Sequence, residues 1–206
     1  MKVLLINGSS RKGCTYTALL EMCTVFAEEG IDYEIVTLGT DPIRDCIGCK
    51  ACSKLGKCTF DDDLVNEIVE KAAQADAFVF GTPVYYAHPS GRLLSLLDRA
   101  FYSGGKYFTQ KPAMAVASAR RAGTTASLDA VLKHCTINQM PVISSTYWNI
   151  VHGNTPDDVK KDLEGLQTMR NAARNMAWIL KCIQAGKENG INPPENPKTE
   201  KTSFIR

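Results

Sequence analysis

Residues 2–17 read KVLLINGSSRKGCTYT, and this segment already indicates the class of structure. The run KVLLIN is short, apolar and ended by Asn7, which is typical of a buried strand. From Thr15 to Glu29 apolar residues recur at helical spacing, and Gly30 ends that helix. The Gly- and Ser-containing loop between them therefore leads from a strand into a helix N terminus, where backbone N–H groups attract anions.

The same alternation of strand and helix continues along the rest of the chain. Further strands are predicted at 32–38, 77–83, 112–118 and 141–151. Further helices are predicted from the acidic residues 61–63 to about 74, and over 90–102, 124–138 and 156–183. Helices between successive strands predict an α/β fold, with a parallel sheet covered by helices on both faces. Five strands with this rhythm fit a flavodoxin-like doubly wound sheet in the order 2-1-3-4-5, although the alternation alone does not fix that order.

The length and composition indicate one main domain. The 206 residues are 44% hydrophobic and 22% charged, as in ordinary globular proteins. We assign residues 1–186 to this domain, which contains a cysteine-rich loop at 46–58. Residues 187–206 are rich in Pro, Asn and Lys. We expect them to form either a loose tail or an arm that packs on a neighbouring subunit through Phe204 and Ile205.

Charge and hydropathy argue against two classes of partner. The formal net charge is +2 and the basic residues form no block, so nucleic-acid binding is not expected. The first apolar run, residues 3–6, is far too short for a membrane span or a secretory signal. We therefore expect a cytoplasmic protein with no membrane partner. In that compartment clustered cysteines more often bind metal or carry out redox chemistry than form disulfides.

Four of the eight cysteines lie in the thirteen-residue run CIGCKACSKLGKC, residues 46–58, with the spacing C-x2-C-x2-C-x5-C. So short a run can wrap four thiolates around one inorganic centre, and the bacterial ferredoxin motif begins with the same step. We predict a [4Fe–4S] cluster, with zinc or four reduced structural cysteines as the alternatives. The predicted ligands are Cys46, Cys49, Cys52 and Cys58. Three dispersed cysteines are predicted to be small buried residues of the core: Cys23, Cys135 and Cys182.

Three kinds of phosphate ligand compete for the loop after the first strand. A Walker A loop needs a lysine where this chain has Cys14, and a dinucleotide loop needs a third glycine beside Gly8 and Gly13. A single phosphate, such as that of FMN, needs only hydroxyls, N–H groups and a helix end. The hydroxyls and a charge come from Ser9, Ser10, Thr15 and Arg11. A plain turn between strand and helix remains the alternative.

Two further loops are predicted at the same edge of the sheet, because ligands of doubly wound sheets bind outside the carboxyl ends of the strands. The segment GTPVYYAHPSG, residues 81–91, offers Tyr85 and Tyr86 as flat walls for a flavin ring, or as a tyrosine pair packed in a turn. In the segment SARRAGTT, residues 118–125, Gly123 permits close backbone approach. Either Arg120 or Arg121 could offset negative charge on a flavin, or remain solvated.

Together these segments resemble the NAD(P)H-dependent FMN reductase superfamily, and within it the iron–sulfur flavoproteins. The resemblance covers roughly residues 1–150 and departs from the family pattern at Cys14, where relatives often carry Asn. It implies a flavodoxin-like fold, FMN in the three loops and a [4Fe–4S] cluster on the four matched cysteines. It also implies a homodimer or homotetramer in which the cluster of one subunit serves the flavin of another. The candidate FMN-binding residues are Ser9, Ser10, Arg11, Gly13, Cys14, Thr15, Thr82, Pro83, Val84, Tyr85, Tyr86, Ser118, Arg120 and Gly123.

The predicted function is an FMN-dependent oxidoreductase. Its electron donor would be NAD(P)H or a reduced ferredoxin-type carrier, and its acceptor a small molecule. No side chain is assigned a catalytic role, because the flavin carries the chemistry. Two alternatives remain open: an NAD(P)H-dependent flavin or quinone reductase with structural cysteines, and a redox carrier or sensor without a substrate of its own. Tyr147 and Trp148 are candidate walls of the acceptor pocket, and residues 92–107 are a candidate subunit interface.

Overall fold

The computed structural model describes residues 1–200 and residue 202. A central sheet is covered by helices on both faces, and its strands follow the order β2-β1-β3-β5-β6. The strands are β1 (Lys2–Asn7), β2 (Asp32–Thr37), β3 (Ala77–Tyr85), β4 (His88–Pro89), β5 (Ala113–Ala119) and β6 (Ile150–His152). The helices are α1 (Cys14–Glu28), α2 (Cys52–Leu55), α3 (Val65–Ala73), α4 (Gly91–Gly104), α5 (Thr124–Ile137), α6 (Pro156–Val159) and α7 (Leu163–Glu188).

The predicted flavodoxin-like α/β class is confirmed. The two-residue strand β4 pairs only with β3 and runs antiparallel to it. Without β4, the five parallel strands have the predicted order 2-1-3-4-5. The central strand β1 pairs with β2 on one side and β3 on the other, and β3 pairs in turn with β5. The carboxyl ends of these strands therefore lie along one edge of the sheet.

The hydrophobic core has two layers, one on each face of the sheet. Side chains of a strand point alternately to opposite faces, so β1 contributes to both layers. Val3 and Leu5 pack in the layer with α1 and α7, whereas Leu4 and Ile6 pack in the layer with α3, α4 and α5. All four are fully buried, and each such side chain stabilises the fold by about 1.5–3 kcal/mol.

The fifth parallel strand is much shorter than the predicted 141–151. Val142 makes an isolated bridge to Ala113, and regular pairing resumes only where Ile150 faces Ala117. Four residues separate the two positions on β5 but eight on the partner, so four extra residues loop out of the sheet. The loop is fastened to α7, where the hydroxyl of Ser145 donates to a backbone carbonyl at 2.7 Å. It carries Tyr147 and Trp148, which are exposed and packed edge to face.

The predicted helix over 156–183 is interrupted and longer than expected. Asp162 accepts from the N–H of Gly165 at 2.9 Å and from the N–H of His152 at 2.6 Å. It therefore caps a new helix, α7, and ties that helix to β6. The helix predicted to begin at residues 61–63 begins at Val65 instead. Asp63 lies just before it and accepts from the N–H of Val65 at 3.2 Å, and it also binds Arg99.

The structure also bears on the predictions for the dispersed cysteines, for residues 92–107 and for the C-terminal segment. Cys23 and Cys135 are buried, and burial raises the pKa of each thiol to about 12, whereas Cys182 is exposed, so its predicted burial is wrong. The leucines of residues 92–107 face the chain's own core. In residues 189–200, Pro194 accepts a hydrogen bond from Gln110 at 2.7 Å. The division at residue 186 stays a prediction, and Phe204 and Ile205 lie outside the described residues.

No helix within residues 1–200 is both long and apolar enough to cross a bilayer. The cytoplasmic location stays a prediction.

Glu34 on β2 provides a test of electrostatic stabilisation. Its carboxylate binds Lys2 and Lys71, each at 2.6 Å, and these hydrogen bonds hold the pKa of Glu34 below its ordinary value. A carboxylate with a lowered pKa stabilises the fold above its unfolded pKa, and this contribution is lost as the pH falls through the folded value. Because the side chain is 30% exposed, solvent screening limits the contribution to about 1 kcal/mol.

We expect Glu34→Gln to lower the free energy of unfolding by about 1 kcal/mol at neutral pH. The difference from the wild type should shrink as the pH falls below the unfolded pKa of about 4.3, and it should vanish below the lowered folded pKa, where both chains lack this charge. Urea unfolding at neutral and acidic pH measures both values. A loss of equal size at both would contradict an electrostatic origin.

Candidate functional site

A crevice opens at the carboxyl edge of the sheet, where four loops meet. It has a volume of about 150 Å³ and contains the segments that follow β1, β3, β5 and β6. Its walls are formed by Ser9, Arg11, Cys14, Thr15, Pro83, Val84, Tyr85, Ser118, Ala119, Arg120, Gly153 and Asn154. The three loops that the sequence predicts to converge therefore do lie side by side.

The loop after β1 is held in shape by Asn7, the buried last residue of that strand. Its side-chain oxygen accepts from the N–H of Ser9 at 3.2 Å, and its amide nitrogen donates to the carbonyl of Arg11 at 3.2 Å and to Thr37 at 3.3 Å. The N–H of Arg11 in turn donates to the Ser9 hydroxyl at 3.3 Å. These bonds arrange the loop before any ligand arrives, which lowers the entropic cost of binding.

The N terminus of α1 faces this crevice without a side-chain cap. The first N–H groups of a helix have no partner within the helix, and together with the helix dipole they form an anion site. The Thr15 hydroxyl lies 2.8 Å from that of Ser118, which joins the loops after β1 and β5. Free N–H groups, hydroxyls and the exposed guanidinium of Arg11 fit a single phosphate group.

Cys14, where the sequence departs from the family pattern, also lines the crevice. Its thiol donates to the carbonyl of Gly153 at 3.6 Å. Burial raises the pKa of the Cys14 thiol, although the nearby charge of Arg11 opposes the effect. The thiol therefore stays protonated at neutral pH and places no negative charge beside a bound phosphate.

The segment after β3 forms the second wall. Pro83, Val84 and Tyr85 line the crevice. Thr82 does not: it is fully buried, donates to the carbonyl of Pro83 at 2.9 Å and accepts from the N–H of Ser90 at 2.9 Å. Tyr86 is fully exposed with φ of 60°, a backbone conformation that is strained for a bulky residue.

Gly123 supports this wall from behind, at the start of α5. Its φ is +89°, and a β-carbon added there would lie 2.8 Å from Val84 and 3.0 Å from the carbonyl oxygen of Ala87. Only glycine permits both the backbone conformation and this close approach. Gly39 also has a positive φ, of +66°, but a β-carbon there would meet no atom within 4 Å.

We expect Gly123→Ala to lower the free energy of unfolding by about 2–4 kcal/mol, since an overpacking cost adds to the cost of a left-handed alanine. The control Gly39→Ala carries the conformational cost alone and should lose about 1 kcal/mol. Guanidinium unfolding of the two variants measures the difference. Equal losses would show that contact with residues 84–87 contributes nothing.

Nine of the fourteen candidate flavin residues thus line the crevice. The other five are placed nearby in the same loops but not on its surface: Ser10, Gly13, Thr82, Tyr86 and Gly123. Gly153 and Asn154, which follow β6, also line the crevice and were not among the predicted residues. The signal was available, because any loop after a parallel strand reaches the same edge of the sheet.

The four clustered cysteines line a second cavity, of about 100 Å³. Cys46 and Cys49 are exposed, Cys52 is half-buried at the start of α2, and Cys58 is buried. Three residues of this loop have positive φ: Gly48, Lys50 and Gly56. These turns let the backbone wrap around the cavity. Its opposite wall is formed by α4, through Arg99, Tyr102 and Ser103.

Within residues 1–200 and 202, no three His, Cys, Asp or Glu side chains converge on one ion position. Four cysteine sulfurs around one cavity are a donor set suited to either an iron–sulfur cluster or a zinc ion.

Three polar residues of α4 bind the segments on either side of the cysteine loop. Arg92 donates to the carbonyl of Thr40 at 3.0 Å, Ser95 donates to Asp45, and Arg99 binds Asp63. Their spacing of three and four residues places them on one face of the helix. These three residues were not predicted from the sequence, although they form a polar row on an otherwise leucine-rich helix.

Comparison with known proteins agrees with this architecture. Residues 1–155 match the family described as NADPH-dependent FMN reductase. An iron–sulfur flavoprotein of Methanocaldococcus jannaschii is 34% identical over 193 residues, covering 89% of this chain and 100% of the relative. An iron–sulfur flavoprotein of Methanosarcina thermophila is 28% identical over 193 residues, covering 91% of this chain and 100% of the relative.

Among solved structures, the chain resembles an NAD(P)H:quinone oxidoreductase from Methanothermobacter marburgensis, with a TM-score of 0.62 and 20% identity. The match covers 85% of this chain and 94% of that one, and at this identity it supports the fold alone. The family match extends over three quarters of the sequence, and the first relative is matched along its whole length. The chain therefore belongs to the NADPH-dependent FMN reductase family of flavin-dependent oxidoreductases and is akin to its iron–sulfur flavoproteins.

Proposed function

We propose that this protein is an FMN-dependent electron-transfer oxidoreductase with a [4Fe–4S] cluster on Cys46, Cys49, Cys52 and Cys58. The observation that carries the proposal is the pair of cavities: one built from three predicted flavin loops, the other lined by all four motif cysteines. Bound FMN would supply two-electron hydride chemistry, and a cluster would carry electrons one at a time. The donor is proposed to be NAD(P)H or a ferredoxin-type carrier, and the acceptor a small molecule.

The residues of the flavin crevice have distinct tasks in this proposal. Ser9, Arg11 and Thr15, with the N–H groups at the start of α1, would hold the phosphate. Pro83, Val84 and Tyr85 would provide an apolar wall against the ring and exclude water from one side. Arg120 at the crevice would favour the anionic form of a reduced flavin by its positive charge.

The two cavities share no lining residue. We propose a homodimer or homotetramer in which the cluster of one subunit serves the flavin of its neighbour, as the resemblance to the iron–sulfur flavoproteins implies. Sedimentation of the anaerobically purified protein tests the assembly: a monomer at working concentration would contradict it.

The cofactor content is tested by anaerobic purification, an absorption spectrum and assays of FMN, iron and acid-labile sulfide. We expect flavin bands in the blue and near-ultraviolet, a broad brown shoulder that fades with reductant, and about four iron atoms per chain. Protein with flavin but no iron or sulfide would overturn the cluster and favour a flavin or quinone reductase with structural cysteines. Protein that cannot take up FMN would overturn the whole proposal.

The electron donor is tested by stopped-flow reduction of the flavin. NADH, NADPH and a reduced ferredoxin are mixed separately with the anaerobic holoprotein. Fast bleaching by a nicotinamide supports an enzyme of the reductase type. Fast reduction by the ferredoxin alone, with no turnover on either nicotinamide, would instead favour a carrier or sensor.

A further inference from the structure

Among the residues that the structure describes, Arg99 has the largest fully buried side chain, with only 2% of its surface exposed. A buried guanidinium is costly unless its donors are paired, so its position calls for a compensating set of partners. It lies on α4, between the hydrophobic core and the cavity that the four cysteines line. Arg99 therefore lines the cysteine cavity from its buried side.

Each nitrogen of the Arg99 guanidinium has its own hydrogen-bond partners. Nη1 binds the carboxylate of Asp63 and donates to the carbonyl of Arg44 at 3.1 Å, and Nη2 donates to the carbonyl of Phe60 at 3.3 Å. Nε donates to the sulfur of Cys58 at 3.2 Å. The guanidinium also lies 5.2 Å from the ring centroid of Phe60. The two terminal nitrogens therefore bind the segments that flank the cysteine loop, and Nε binds only the sulfur of Cys58.

Cys58 is organised from its backbone as well. The side-chain oxygen of Asn66 accepts from the N–H of Cys58 at 2.9 Å, and its amide nitrogen donates to the carbonyl of Cys58 at 3.1 Å. Asn66 and Cys58 are both buried, whereas Cys46 and Cys49 are exposed. One of the four thiols is thus fixed in place by the fold, and the others lie on a more open loop.

We propose that Arg99 positions Cys58 as the anchoring cluster ligand and raises the midpoint potential of the cluster through its Nε–H···Sγ hydrogen bond. The inference rests on the proposed cluster. One-electron reduction adds negative charge to a centre that its thiolates already make anionic, so a donor to a ligand sulfur stabilises the reduced state more than the oxidised one. Hydrogen bonds to the sulfurs are among the factors that set such potentials.

Three acidic residues close to the cysteine cavity are each paired with a basic side chain. Asp61 pairs with Lys57 at 3.0 Å, and Asp62 pairs with Arg44 at 2.6 Å. Asp63 is paired with Arg99 itself. The specific feature of Arg99 is therefore the direct bond to sulfur, which a lysine cannot make while it also holds Asp63 and the two carbonyls.

The test compares Arg99→Lys with the control Asp63→Asn, both as anaerobic holoproteins. The lysine keeps the charge and loses the Nε donor, whereas Asp63→Asn keeps that donor and loses the ion pair. We expect Arg99→Lys to weaken the affinity of the cluster for its electron at least tenfold, a shift of about 59 mV to more negative potential. Asp63→Asn should not shift the potential downward. Redox titration followed by electron paramagnetic resonance gives both values.

The outcomes separate this inference from the proposed function. Iron and sulfide absent from the wild type would overturn both. A wild type with a cluster and an Arg99→Lys variant with the same potential would overturn the inference alone. Loss of the cluster in both variants would also overturn it, because Arg99 would then serve only the fold. A folded Arg99→Lys protein without a cluster, beside an Asp63→Asn protein that has one, would support ligand positioning.

Discussion

Cys49→Ser should remove nearly all iron and acid-labile sulfide from the anaerobically prepared protein and leave its fold intact. Cys49 is exposed and lies in a loop outside the hydrophobic core, so the serine disturbs no packed structure. A hydroxyl is a poor substitute for a thiolate ligand, and a cube held by three cysteines and an exposed corner loses iron readily. We expect the iron content to fall from about four atoms per chain to below about one.

The matched control is Cys182→Ser, which exchanges the same atoms at another exposed cysteine, on α7 and far from the motif in sequence. It should keep the iron and sulfide of the wild type. Iron and sulfide are measured by colorimetric assay, and circular dichroism confirms that both variants are folded. Equal metal content in the two variants would show that Cys49 is not a ligand.

Cys49→Ser also distinguishes an enzyme that passes electrons through a cluster from a reductase with structural cysteines. If electrons leave the flavin through the cluster, Cys49→Ser should still allow bleaching of the flavin by its donor but slow reoxidation by an acceptor that takes single electrons. If the cysteines are structural, both half-reactions should match those of the wild type. Stopped-flow measurements of the two half-reactions separate these cases.

Much of the fold could be predicted from local signals. The apolar run before Asn7, the helical spacing after it and the repeated alternation give the α/β class. The strand order followed from the spacing only together with the resemblance to a known family. The end of the sheet was less predictable, because residues 141–151 have strand-like composition throughout. Whether such a run stays in register depends on its partner: here four residues loop out so that Ser145 and its neighbours bind α7. These bonds join residues that are far apart in the sequence, so the sequence around 141–151 gives no sign of the loop.

The site was predictable where it depends on loop chemistry and less so where it depends on long-range partners. The convergence of three loops follows from the position of strand ends in a doubly wound sheet. By contrast, the bond from Arg99 to Cys58 joins residues 41 positions apart. The charged end of an arginine on a leucine-rich helix normally reaches solvent. Arg99 is buried only because the cysteine loop packs against it.

Arg11→Glu should weaken FMN binding about 100-fold. Arg11 is exposed beside the uncapped N terminus of α1, so the change should leave the fold intact. A charge-assisted hydrogen bond contributes about 1.5–3 kcal/mol, and a carboxylate in its place also repels the phosphate. About 3 kcal/mol corresponds to roughly a 100-fold change in the dissociation constant. Titration of the apoprotein with FMN, followed by quenching of flavin fluorescence, measures it.

Lys12→Glu is the matched control, because it makes the same charge change one residue away. Lys12 is exposed, lies over the ring of Tyr16 and does not line the crevice. Lys12→Glu should weaken FMN binding only through long-range electrostatic repulsion, by less than about threefold, and salt should reduce this change further. Riboflavin, which lacks the phosphate, should bind the wild type and Arg11→Glu with equal affinity. Two results would show that Arg11 does not hold the phosphate. One is an equal loss of FMN affinity in Arg11→Glu and Lys12→Glu, and the other is a loss of riboflavin affinity in Arg11→Glu as large as its loss of FMN affinity.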